Sequence, residues 1–99
     1  MARAKKNSRA DGPAIDRPFD PKILAAAERI AAEYQIVLWR EEGRWFGRGL
    51  EMPYTFGDGA TPDECVASTL EGLVAGVAYL LEKGAQTPAA QRAETVADR

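Results

Sequence analysis

The sequence predicts an α+β fold: an antiparallel β-meander of about three strands, with a short fourth allowed for, packed by one long helix and preceded by an extra N-terminal helix. Three observations carry that prediction. Apolar residues recur at helical spacing before Tyr34 and again after Thr61. Between those segments the pattern switches to β-branched and aromatic runs joined by short glycine-containing turns, which is how antiparallel hairpins are written. The chain has 99 residues, 45% hydrophobic and 28% charged, so the elements belong to one small domain.

Residues 1–19 are polar, are interrupted by Pro13 and Pro18, and carry Arg3, Lys5, Lys6 and Arg9. They read as a disordered basic tail. A solvated arm is the favoured reading of so short a basic run, over contact with phosphates or an acidic partner. Asp20-Pro21 then supplies an N-cap and a proline at the first helical position, opening a helix over 20–33. Its apolar stripe is Ile23, Leu24, Ala27, Ile30, Ala31 and Tyr34, narrow and alanine-rich, so it needs a surface to lie on.

Strand character begins at Gln35-Ile-Val-Leu-Trp39, turns at Glu41-Glu42-Gly43 and resumes at Arg44 to Glu51. Alternation along the second strand predicts Trp45, Gly47, Gly49 and Glu51 on one face and Phe46, Arg48, Leu50 and Met52 on the other. Glycines two apart on one face predict a close neighbour there. Met52-Pro53 ends the strand, Tyr54-Thr55-Phe56 reads as a short third strand and Gly57-Asp58-Gly59 as a turn.

Thr61-Pro62-Asp63-Glu64 is a capping box, and the helix behind it extends to about Lys83 before Gly84 stops it. Its predicted apolar stripe is Val66, Leu70, Leu73, Val74, Val77, Leu80 and Leu81. A row of small residues, Ser68, Gly72 and Gly76, is predicted to meet the Gly47 and Gly49 face. Residues 89–99 read as a disordered tail, with one short strand allowed for near Gln86 to Ala89.

The formal net charge is −2, and the sequence pI near 5.1 argues against global attraction to nucleic acid. One cysteine, Cys65, excludes an internal disulfide. No apolar run is expected to reach the length needed to cross a bilayer, and no secretory signal is legible, so a cytoplasmic protein is expected. The chain contains no histidine, which removes the commonest general base and metal ligand and every Ser-His or Cys-His pair.

The remaining chemistry is thin. Among the acids Glu41, Glu42, Glu51, Asp58, Asp63, Glu64 and Glu71, the first two belong to a turn, and Asp63 and Glu64 suit a helix N-terminus. Glu51 and Asp58 alone do not hold a hard cation. Gly57-Asp-Gly-Ala-Thr-Pro lacks the lysine and glycine count of a phosphate loop. Cys65 has no base and reads as a small buried filler. Trp39, Arg40, Arg44, Trp45, Phe46 and Arg48 interleave aromatic and basic residues as an RNA-binding sheet does, although a small domain also needs such rings for its core. No metal, cofactor or catalytic residue is therefore expected, and a binding or assembly module fits better than an enzyme.

Taken in order, Tyr34-Gln-Ile-Val-Leu38, Glu41-Glu-Gly43, Trp45-Phe-Gly47, Glu51-Met-Pro53, Gly57 to Cys65 and Leu81-Glu-Lys-Gly84 resemble the HicB-like antitoxin family over about Tyr34 to Pro88. The resemblance implies a truncated RNase H-like fold without catalytic carboxylates, occupying 20–88 with the added helix. It further implies a HicA-type mRNA-cleaving toxin as partner and assembly into dimers or tetramers. The family's usual C-terminal DNA-binding domain has no counterpart in Ala85 to Arg99, so DNA binding is not expected. A basic ribonuclease invites an acidic complement, which singles out Glu41, Glu42 and Glu51 as partner-binding residues. A structural oligomerisation domain, an RNA-binding module and a residual RNase H-type nuclease are the alternatives.

Overall fold

The structure, a computed structural model, describes residues 18–91. The expected tails lie outside that span except for Pro18, Phe19 and residues 89–91. Five elements follow one another: α1 (Pro21–Ala31), β1 (Ile36–Glu41), β2 (Arg44–Gly49), β3 (Phe56–Gly59) and α2 (Pro62–Glu82). The strands form one antiparallel sheet in the order β1-β2-β3, so the α+β meander is as expected.

Both helices begin where their caps predict. The Asp20 carboxylate accepts from the Lys22 backbone N–H at 2.7 Å, with Pro21 in the first turn. Thr61 Oγ1 accepts from Glu64 N at 3.1 Å. The Glu64 carboxylate reaches back to Ala60 N at 3.0 Å, one residue beyond the usual capping-box partner. Gly84, at φ +71°, ends α2 in the left-handed region that favours glycine. The β1–β2 hairpin turns on Glu42 and Gly43, at φ 52° and 81°, the primed geometry that matches strand twist.

α2 lies across one face of the sheet, mainly over β3 and β2, and α1 packs beside α2 rather than on the sheet. The core is Ala27 and Ala31 of α1, Tyr34, Met52, and Leu73, Val77 and Ala78 of α2, with Phe19 and Ile23 packed against it. Phe19 therefore belongs to the fold and not to a tail. By length and composition α2 is apolar enough to cross a membrane, which corrects the reading that no such segment exists. Within the fold its most buried residues, Cys65, Thr69, Leu73, Val77 and Ala78, face the sheet and α1.

Four local expectations are corrected. Gly57-Asp58-Gly59 is strand and not turn: β3 begins at Phe56, because glycine on the inner face is what lets α2 lie against it. The inner glycines meet a different row of α2 from the one expected. A Cβ on Gly47 would fall 2.6 Å from Thr69 Oγ1 and one on Gly49 2.7 Å from Leu73 Cδ2. Ser68, Gly72 and Gly76 face Asp58, Thr55 and Met52 instead. The alternation of β2 stops at Gly49, after which the chain turns and carries Met52 into the core, so Met52 does not share a face with Phe46. Val66 and Leu70, expected in the buried stripe, are each 37% exposed, Leu70 lining an open groove between α1 and α2.

No fourth strand forms over Gln86 to Ala89. Side chains hold that segment instead. Tyr34 Oη donates to the Pro88 carbonyl at 2.6 Å, and Gln35 Nε2 donates to the Gln91 carbonyl. Glu51 bridges the two strings, accepting from Gln35 N at 2.9 Å and from Gln91 N at 2.6 Å.

Tyr34 gives this clasp a pH dependence. Burial raises its hydroxyl above the ordinary value of 10.0, the Glu51 and Tyr54 charges add to the rise, and the Thr87 hydrogen bond opposes it. The folded chain thus holds that proton more tightly than the unfolded chain. The stabilisation is complete below about pH 10 and is lost as the pH climbs through the folded-state value. Urea midpoints taken from about pH 8 to about pH 11.5 are expected to fall more steeply for the natural chain than for Tyr34→Phe. Equal slopes would refute the assignment.

Candidate protein-binding surface

The register of the strands settles which side chains share the face that α2 leaves bare. Val37 opposes Arg48, Trp39 opposes Phe46 and Glu41 opposes Arg44, while Phe46 opposes Asp58 and Arg48 opposes Phe56. Directly opposed residues lie on one side of a sheet. The bare face therefore presents Val37, Trp39, Phe46 and Phe56, with Arg44, Arg48 and Asp58 among them. Phe56 is 63% exposed, and neighbouring Tyr54 in the β2–β3 connection is 67% exposed. Ile36, Leu38, Trp45 and the four inner glycines take the opposite side.

Trp39 and Phe46 stack with ring centroids 6.1 Å apart and planes inclined by 25°. Arg44 Nε donates to Asp58 Oδ2 at 3.1 Å across the β2–β3 pair. Both partners are half exposed, so this ion pair adds little to stability. Arg48 has no ion pair among the described residues. Aromatic side chains with an unpaired arginine, rimmed by charge, have the composition of interface hot spots.

The three acids predicted to bind a partner do not come together. Glu41 and Glu42 stand exposed at the hairpin tip, where Glu41 borders the bare face. Glu51 lies beyond the far end of β2, roughly 17 Å away at strand spacing, and both its carboxylate oxygens accept internal hydrogen bonds. The other acids divide as follows: Glu64 caps α2, Asp58 pairs with Arg44, and Asp63 and Glu71 are exposed on α2. Among the described residues no three of His, Cys, Asp and Glu are grouped to hold a metal. Cys65 is buried, with its Sγ 3.9 Å from the Gly57 carbonyl, the packing role the sequence suggested.

The interleaved hairpin residues split between the sides: Trp39, Arg44, Phe46 and Arg48 on the bare face, Arg40 and Trp45 on the other. Phe56 escaped the sequence reading, since placing β3 two residues early put it at a strand end. A second apolar surface, an open groove of about 690 Å³, lies between α1 and α2 and is lined by Phe19, Leu24, Leu70 and Val74, with Glu28 and Glu71 beside them.

No family model, no curated protein and no solved structure matches the chain.

Proposed function

We propose that the chain is a non-enzymatic protein-binding domain of the HicB-like antitoxin type, and that it docks a HicA-type mRNA-cleaving toxin on the bare face of its sheet. The observation that supports this most is the cluster of Trp39, Phe46 and Phe56 on a sheet face that no element covers among the described residues. An apolar centre of this kind supplies affinity, and Glu41 and Glu42 at its edge supply an acidic rim facing a basic ribonuclease. Glu51 takes no part in docking, because its oxygens are already engaged.

Co-purification with a small basic ribonuclease-type protein encoded beside this chain is the direct test. Capture is expected, and Phe56→Ser is expected to weaken binding by about 30-fold or more without unfolding the chain, Phe56 being mostly exposed. Failure to capture such a protein, or capture indifferent to Phe56 and Trp39, overturns the proposal. The same aromatics with Arg44 and Arg48 also favour stacking of single-stranded RNA. A salt-sensitive shift of a labelled oligoribonucleotide would support that second reading, which Asp58 and Glu41 on the same face oppose by charge.

A further inference from the structure

The two edges of the sheet are treated differently. Leu50 N donates to the Gln35 carbonyl at 2.8 Å, which fixes Gln35, Val37, Trp39 and Glu41 as the β1 residues whose main chain bonds to β2. The N–H and C=O groups of Ile36, Leu38 and Arg40 therefore point to the free edge. Among the described residues no hydrogen bond reaches them. On β3 one of the two outward N–H groups, that of Asp58, is taken by Ser68 Oγ of α2 at 3.3 Å, and the strand is only four residues long. One edge is thus short and partly blocked by the protein's own helix. The other is a six-residue run, IVLWRE, without proline or glycine to interrupt it.

We infer that β1 is a self-association edge: two copies pair β1 to β1 antiparallel about a two-fold axis through Leu38, joining their sheets into one of six strands. The register follows from three constraints. Outward main-chain groups must meet outward groups, so even-numbered residues pair with even-numbered ones. The pairing is isologous, so the residue numbers in each pair have one constant sum. Centring on Leu38 places Leu38 against Leu38, Ile36 against Arg40, and Val37 against Trp39 of the second copy. That choice sets apolar side chains together on the bare face and keeps Arg40 and Glu41 of one copy away from the same residues of the other. Edge pairing leaves the bare face of the sheet open, so it is compatible with docking there and stands or falls separately from it. Because Ser68 guards the β3 edge, the assembly closes at two chains.

Sedimentation of the full chain is expected to give twice its mass of 10.8 kDa. Arg40→Pro removes an outward N–H without touching a β1–β2 bond, and is expected to raise the dissociation constant by about 30-fold or more. Because a proline in a strand can disturb folding, a second arm does not depend on it. Val37→Cys chains mixed with Trp39→Cys chains are expected to give a disulfide-linked dimer under mild oxidation, since opposed residues of this kind lie about 4.5 Å apart at Cα. Cys65 is buried and out of reach. A monomeric full chain overturns the inference, as does a dimer that the mixed cysteines fail to link. A monomer that dimerises only when shortened to end at Gln91 overturns it too, by showing that residues 92–99 occupy the edge.

Discussion

Gly57→Ala is expected to lower stability by about 3 kcal/mol or more, and the melting temperature by about 12 °C or more. The reason is backbone against backbone. A Cβ at this position would lie 2.4 Å from Thr69 N, 2.5 Å from Thr69 Oγ1 and 2.7 Å from Thr69 Cα. A flexible side chain could swing away, but the middle of a helix cannot. β3 and α2 must separate by more than an ångström, and that opens the seam shared with Gly47 and Gly59. Gly43→Ala is the contrasting control: nothing lies within 4 Å of its would-be Cβ, and only the left-handed φ of +81° resists it, a cost of about 1 kcal/mol. Thermal unfolding of the two variants side by side decides the matter. Equal losses would mean that the helix does not sit on the strand as described.

The second large effect is at Leu73, which is fully buried at the centre of the helix–sheet contact. Leu73→Ala is expected to cost about 3 kcal/mol, through lost burial and the void left behind. Its partner across the seam is Gly49, where an added Cβ would meet Leu73 Cδ2 at 2.7 Å and the Met52 carbonyl at 3.1 Å. Gly49→Ala alone is therefore expected to cost about 2 kcal/mol. In the double variant the new methyl enters the space that Leu73 vacated, so the pair should cost less than the two single changes added, by about 1 kcal/mol. Urea unfolding of all four chains measures that coupling. Strict additivity would separate the two residues and refute the seam.

These two sites also show how far the sequence could be read. The caps at Asp20 and Thr61, the stop at Gly84 and the Glu42-Gly43 turn were legible because each depends on chemistry within four residues of itself. The glycines at 47 and 49 announced a close neighbour correctly. Their partner was misjudged, because an alanine-rich, glycine-containing helix such as α2 is apolar nearly all round, and periodicity cannot say which side meets the sheet. The same ambiguity put Val66 and Leu70 inside. At Gly57-Asp58-Gly59, local propensity spoke for a turn, and the tertiary need for a thin strand beneath Thr69 overrode it. The bare face needed the register, which depends on where the turn falls to the residue. Glu41 and Glu42 were placed correctly at a tip, whereas the role of Glu51 was invisible because its partner Gln91 lies 40 residues away.

That last contact has a bearing on how the chain assembles. Pro88 and Gln91 are held by Tyr34, Gln35 and Glu51 over sequence separations of 40 to 56 residues, the widest side-chain ties among the described residues. Bringing such distant points together costs chain entropy, and a few partly exposed hydrogen bonds return little of it until the ends are already close. The clasp therefore shuts last in folding, after α2 has settled on the sheet. It opens first when the protein loosens, as a sub-global excursion well below the free energy of full unfolding.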